Sequence, residues 1–206
     1  KAESRGLGDV YKRQVWDFQK ATESVKNDES IRVVIITGSG RGFSAGADLS
    51  ERKASWTGSK DALMRGYKPF FENITSMPKP VIGAIAGPAA GIGAAIAMSC
   101  DLRVMSDDSY ILSVFSNIAL VPDGGLSWYL PKFMGFAKAY EHAIEAKKIS
   151  AQDCLKYGIA NKVVSRDELE TITLEWAHKL SKRSSQSLNH TKRLMRESLE
   201  VGSWLS

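Results

Sequence analysis

Two runs of this chain are apolar almost without interruption, and each ends in a glycine-rich turn. Residues 31–37 read IRVVIIT and residues 81–86 read VIGAIA. A strand without polar alternation has both faces covered, the mark of a central strand in a parallel sheet between helices. The turns that follow are Gly38-Ser39-Gly40-Arg41-Gly42-Phe43-Ser44-Ala45-Gly46-Ala47-Asp48-Leu49 and Gly87-Pro88-Ala89-Ala90-Gly91-Ile92-Gly93. Small residues let a backbone approach a ligand closely, because no Cβ stands in the way. Amides at such a turn, near a helix N-terminus, favour negative charge. Two such turns suffice to aim two N–H groups at one oxygen, the design of an oxyanion hole. The first turn is not a P-loop, since GxxxxGK[ST] is absent. It is not a dinucleotide fingerprint either, since the third glycine position holds Phe43.

The spacing of Val15, Phe18, Ala21, Thr22 and Val25 predicts a helix over 15–27. A second is expected over 61–77, with Leu63, Met64, Tyr67, Phe70, Phe71 and Ile74 on its apolar face and a kink at Pro69. A small-residue helix follows over 91–99. Strands are expected over 101–106, 110–113 and 162–165. Helices are expected over 123–130, 136–146, 151–157, 169–182 and 188–199, the third capped by Ser150 and stopped by Gly158. Alternating strands and helices imply an α/β fold with parallel strands. Asp48 reads as the start of a capping box with Glu51. Residues 1–14 fit no periodic pattern and are set aside as a foreign or disordered segment, leaving one domain over 15–206.

The formal charge of +5 over 206 residues is spread out, with no Lys/Arg block. That argues against a nucleic-acid partner and suits an anionic small molecule. The two cysteines, Cys100 and Cys154, are far apart and form no CxxC pair, which points to a reducing compartment. The cytoplasm is the expected location, with the mitochondrial matrix and the peroxisome also compatible. No run approaches the ~18 apolar residues of a membrane span, so no membrane partner is expected. His142, His178 and His190 lack metal-ligand spacing, and no metal is expected.

Four ordered blocks carry a resemblance. Residues 33–49 (VVIITGSGRGFSAGADL), 80–101 (PVIGAIAGPAAGIGAAIAMSCD), 119–135 (ALVPDGGLSWYLPKFMG) and 149–164 (ISAQDCLKYGIANKVV) resemble the enoyl-CoA hydratase/isomerase (crotonase) superfamily. The resemblance implies a crotonase-like spiral of ββα units, two roughly perpendicular sheets surrounded by helices. It implies acyl-CoA thioesters as substrates with no separate cofactor, and assembly as homotrimers or hexamers. Carried over by position, the oxyanion amides fall on Ala47 and Ile92, flanked by Gly46, Asp48 and Gly91, and the backbone at Ala45 faces the adenine of CoA. Arg41 is either a contact to a CoA phosphate or a solvated loop charge. Phe115 either lines the acyl pocket or packs the core. A strand and hairpin ahead of the first helix and a last helix after Val201 have no counterpart here, so the chain is expected to be a fragment of the family pattern.

The two glutamates that the resemblance assigns to hydratases fall on Ala95 and Phe115. Neither side chain can orient or deprotonate water, so simple hydration is not expected. Asp123, in Val121-Pro122-Asp123-Gly124-Gly125, aligns with the acid of the family's single-acid enoyl-CoA isomerases. Its residue type and neighbours also suit a helix N-cap. The resemblance favours Asp123 as a proton shuttle from C2 to C4 of a Δ3-enoyl thioester. A dehalogenase with Asp123 as nucleophile, another crotonase-type reaction, and a silent acyl-CoA-binding module are the alternatives.

Overall fold

The structure is a computed structural model that describes residues 9–10, 12–47 and 58–200. Most strands that follow one another along the chain go to different sheets; Tyr110–Leu112 and Lys148–Ser150 share one. β1 (Asp9–Val10) pairs with β3 (Gly46–Ala47) in a short parallel ladder. β2 (Val34–Thr37), β4 (Val81–Ile85), β6 (Leu102–Ser106) and β9 (Lys162–Val164) form an all-parallel sheet in the order β2-β4-β6-β9. β5 (Pro88–Ala90), β7 (Tyr110–Leu112) and β8 (Lys148–Ser150) form a second sheet, with β7 parallel to β5 and antiparallel to β8. Each of the pairs β4-β5, β6-β7 and β8-β9 therefore gives one strand to each sheet. The molecule has the α/β, crotonase-like fold expected from the sequence, with helices around parallel and mixed sheets.

The helices are α1 (Lys12–Asn27), α2 (Ser59–Asp61), α3 (Lys68–Ser76), α4 (Ile92–Ser99), α5 (Leu126–Met134), α6 (Phe136–Ile144), α7 (Ala151–Lys156), α8 (Leu169–Ser181) and α9 (Ser185–Glu200). α1 begins at Lys12 rather than at Val15. With β1, this brings part of the stretch set aside above into the fold. The helix expected over 61–77 is divided by a π-helical turn, Ala62–Tyr67. Pro69 follows that turn closely, at the start of α3. Ser150 caps α7 as expected, accepting from Asp153 N at 3.1 Å.

α4 runs through the centre of the molecule, and all its residues are buried. Its low-volume residues make that possible: an added Cβ on Gly93 would lie 2.5 Å from Ser44 Cβ and 2.6 Å from Ser44 O. Around it pack Phe70, Ile74, Ile85, Met105 and Leu126. A second cluster, Ile82, Ala84, Val104 and Leu169, joins the parallel sheet to α8. The C-terminal end of α4 is closed by Arg103, only 4% exposed. Its guanidinium donates to the carbonyls of Ala97, Met98, Cys100 and Ile159. A cation there satisfies orphan carbonyls and complements the helix dipole, while burial pushes its pKa down.

α9 is strapped to the end of α4 by ion pairs. Asp101 meets Lys192 at 2.7 Å and Arg196 at 2.6 Å. Lys192 also donates to Ile74 O and Lys79 O, and Arg196 to Ser99 O and the Tyr129 hydroxyl. Replacing Asp101 with Asn leaves two half-buried cations short of a counter-charge. It is expected to lower stability by about 1–3 kcal/mol, the range for a lost charged hydrogen bond, read as a drop in the urea midpoint. An unchanged midpoint would refute the strap.

Candidate active site

The two glycine-rich turns meet at the N-terminus of α4. Phe43 N and Ser44 N donate to Pro88 O at 2.9 and 3.1 Å, and Ala90 N donates to Ser44 O at 2.9 Å. Ser44 bridges Ala89 in parallel, which ties the first turn to the second sheet. Gly46, at φ +103°, then passes over the helix start: a Cβ there would lie 3.0 Å from Ala90 O and 3.7 Å from Ile92 N. Gly91, at φ +54°, comes equally close, its would-be Cβ 3.9 Å from Gly46 Cα. Both positions need left-handed backbone that side chains disfavour.

The first N–H groups of a helix have no partner within it. Gly91 N donates to Leu112 O at 3.0 Å, and the first intrahelical bond is Ala95 N to Gly91 O at 3.2 Å. The amide of Ile92 therefore stands at the open end of the α4 dipole, next to the Gly46–Ala47 backbone. Ala47 itself is exposed and pairs in register with Val10. The structure thus brings Ala47, Gly46, Gly91 and Ile92 together. Arg41 and Ala45 lie exposed on the same loop. Asp48, with its proposed cap, lies outside the described residues.

Asp123 reaches this point from the other side. A Cβ on Gly124 would lie 2.6 Å from Ala95 Cβ, 3.0 Å from Phe71 Cζ and 3.1 Å from Ile92 Cδ1. The residue after Asp123 is therefore seated on the first turn of α4. The capping alternative for Asp123 is not what the structure shows. α5 starts at Leu126 with Gly125 as N-cap, and no side chain caps it. Asp123 contributes only its carbonyl, which accepts from Leu126 N at 3.0 Å. Its Oδ1 is buried without a hydrogen-bond partner among the described residues. Burial pushes its pKa up to about 6, offset in part by its own main-chain N–H.

A raised carboxyl pKa means that the folded state holds the proton more tightly than the unfolded chain. Stability then falls as pH rises from about 4 to 6, and the penalty is full above pH 6. Asp123→Asn removes the charge. It is expected to raise the thermal midpoint at pH 7 and to leave it unchanged near pH 3.5. A midpoint at pH 7 that does not rise would count against a buried carboxylate.

Phe115, on a 3-10 turn over Phe115–Ile118, is 5% exposed and belongs to the main core. Of its two readings, the structure supports packing. Ala95 is fully buried against Gly124. The sequence had placed Tyr67 only on an apolar face. In the structure it lines a cavity of about 740 Å³ beside Gly124 and Gly125 and feels the charge of Asp123. Helical spacing alone gives no signal for that, because the π-helical turn changes which way residue 67 faces. Among the described residues no cluster of His, Cys, Asp and Glu could hold a metal, and no helix is long and apolar enough to cross a membrane.

The chain belongs to the enoyl-CoA hydratase/isomerase family, whose model matches residues 11–203. It is 34% identical over 163 residues to the 1,2-epoxyphenylacetyl-CoA isomerase of Escherichia coli (strain K12), covering 77% of this chain and 62% of that protein. It is 34% identical over 139 residues to a probable enoyl-CoA hydratase of Rhodobacter capsulatus, covering 68% of this chain and 54% of that one. These two curated relatives are thus spanned over 62% and 54% of their length. Among solved structures, an enoyl-CoA hydratase subunit from Geobacillus kaustophilus HTA426 superposes with a TM-score of 0.89 at 27% identity, over 97% of this chain and 78% of that one.

Proposed function

We propose that this chain is the body of an enoyl-CoA isomerase that shifts a double bond from Δ3 to Δ2. The observation that carries the reading is the buried Oδ1 of Asp123, without a hydrogen-bond partner among the described residues, next to a Gly124 seated on the first turn of α4. The thioester oxygen lies between Ala47 N–H and Ile92 N–H. Asp123 takes a proton from C2, and the C2–H electrons pass into a dienolate held by the two amides. The protonated acid then delivers its proton to C4. A base with pKa near 6 is ionised at neutral pH yet easily protonated in mid-cycle. Each amide donor is worth about 10²–10³ in rate. The CoA thioester is the substrate and no separate cofactor enters the scheme. Arg41, exposed on the first turn, suits the CoA phosphates.

Hydration finds no support in the residues, because the two positions that the resemblance assigns to hydratase glutamates hold Ala95 and Phe115. The relatives' names include both activities, so the reading stands on Asp123. The test is conversion of a 3-enoyl-CoA to its conjugated 2-enoyl isomer, followed by absorbance, alongside calorimetric binding of the same ester. Turnover whose kcat/KM falls below about pH 6 supports the isomerase. Binding without turnover points to a silent module. A trapped aspartyl ester at Asp123 points to nucleophilic chemistry such as dehalogenation. Assembly into a homotrimer or hexamer belongs to the same proposal and is read by sedimentation equilibrium.

A further inference from the structure

The cavity beside Gly124 has an aromatic wall of Tyr67, Phe71, Trp128 and Tyr129. Its charged groups are committed to one another or to neighbours. Lys68 pairs with Glu72, Arg193 with Glu197, and Lys192 and Arg196 with Asp101. The Thr75 and Ser99 hydroxyls donate to Phe71 O and Ala95 O, and the Tyr129 hydroxyl accepts from Arg196. The Tyr67 hydroxyl, by contrast, has no hydrogen-bond partner among the described residues.

Tyr67 closes the π-helical turn, a local distortion often kept at functional sites. Phe71, one turn further on, abuts Gly124. Tyr67, Phe71 and Gly124 therefore line the same cavity. Burial first, and the Asp123 charge second, push its phenol pKa up. The group stays protonated at neutral pH and offers a donor. An acyl group that extends past Asp123 into this cavity, where Gly124 and Gly125 line the wall, would meet that donor. A plain hydrocarbon there leaves the donor unused, whereas an oxygen on the chain satisfies it. A site built around a donor discriminates against ligands that lack the acceptor.

We infer that Tyr67 is a specificity-determining residue, its hydroxyl donating a hydrogen bond to an oxygen carried by the acyl group beyond the reacting carbons. The substrate class is then an oxygen-bearing enoyl-CoA, with a hydroxyl, ether or keto group on the acyl moiety, in preference to an unsubstituted alkenoyl-CoA. The inference rests on the acyl-CoA reading above and names the substrate class for the same site.

The test uses binding, so that it does not depend on turnover. A set of saturated acyl-CoA thioesters of equal length, each with one methylene beyond C4 replaced by an ether oxygen, is titrated calorimetrically into wild type and Tyr67→Phe. Tyr67→Phe keeps the ring and its packing. At least one ether-bearing ester is expected to bind wild type about 3- to 10-fold more tightly than the all-carbon parent, the range for one net hydrogen bond. Tyr67→Phe should abolish that advantage and bind the parent as wild type does. The inference is overturned if no ester in the set beats the parent, or if the advantage survives in Tyr67→Phe. An ether preference in a protein that fails to isomerise 3-enoyl-CoA would uphold Tyr67 while removing the isomerase. No binding of any ester would remove both.

Discussion

Asp123→Asn is expected to lower turnover of a 3-enoyl-CoA by about 10²–10⁴-fold, the usual worth of a positioned acid/base. Affinity for the CoA ester should stay at the wild-type level. The substitution is nearly isosteric, and the wild-type Oδ1 has no hydrogen bond to lose among the described residues. The amides proposed to hold the thioester oxygen belong to the main chain at Ala47 and Ile92, so they survive the change. The loss should therefore sit in kcat and leave KM largely alone, the pattern of an interaction made in the transition state. Because the same variant is expected to be more stable at pH 7, unfolding cannot imitate the loss. A variant that keeps near wild-type kcat would eliminate Asp123 as the proton carrier and, with it, the single-acid isomerase.

Gly93→Ala should be severely damaging although it adds a single methyl group. The added Cβ would sit 2.5 Å from Ser44 Cβ and 2.6 Å from Ser44 O, and one of those partners is main chain. Neither side yields easily. Ser44 is fixed by its bonds to Pro88 O and from Ala90 N, and α4 is buried along its whole length. Overpacking of this kind costs roughly 1–3 kcal/mol. The functional effect is larger, because Ser44 leads into Gly46–Ala47 while Gly93 follows Ile92. Forcing them apart widens the gap between the two amides. A displacement of about 1 Å at a reacting geometry lowers rates on the order of 10²-fold. Comparing kcat with the denaturation midpoint separates the two consequences. A soluble Gly93→Ala protein with unchanged kcat would show that the Ala47–Ile92 spacing is not what stabilises the enolate.

How much of this was legible beforehand differs from residue to residue. The apolar runs at 31–37 and 81–86 announced buried parallel strands, because two covered faces leave no place for polar alternation. The glycine turns announced a close backbone approach, since Gly38 and Gly93 leave no room for a Cβ and Gly46 and Gly91 hold a positive φ. The resemblance gave Asp123 its alignment. It did not decide between capping and chemistry, because Pro-Asp-Gly-Gly is also turn composition. The capping reading is removed by where α5 begins: at Leu126, with Gly125 as its cap, while the Asp123 Oδ1 is buried.

Local pattern determined the element types and the two close-approach turns, which are properties of neighbours along the chain, while the resemblance alone assigned the hydratase glutamate positions to Ala95 and Phe115. Tertiary packing alone decided which groups converge. It set Gly46 over Ile92, Gly124 over Ala95, Phe115 in the core and Tyr67 on the cavity beside Asp123. Periodicity reports which face of an element is buried and says nothing about what that face meets. The raised pKa of Asp123 follows from the same limit, since desolvation is imposed by groups far away in sequence that close around the carboxyl only when the chain is folded.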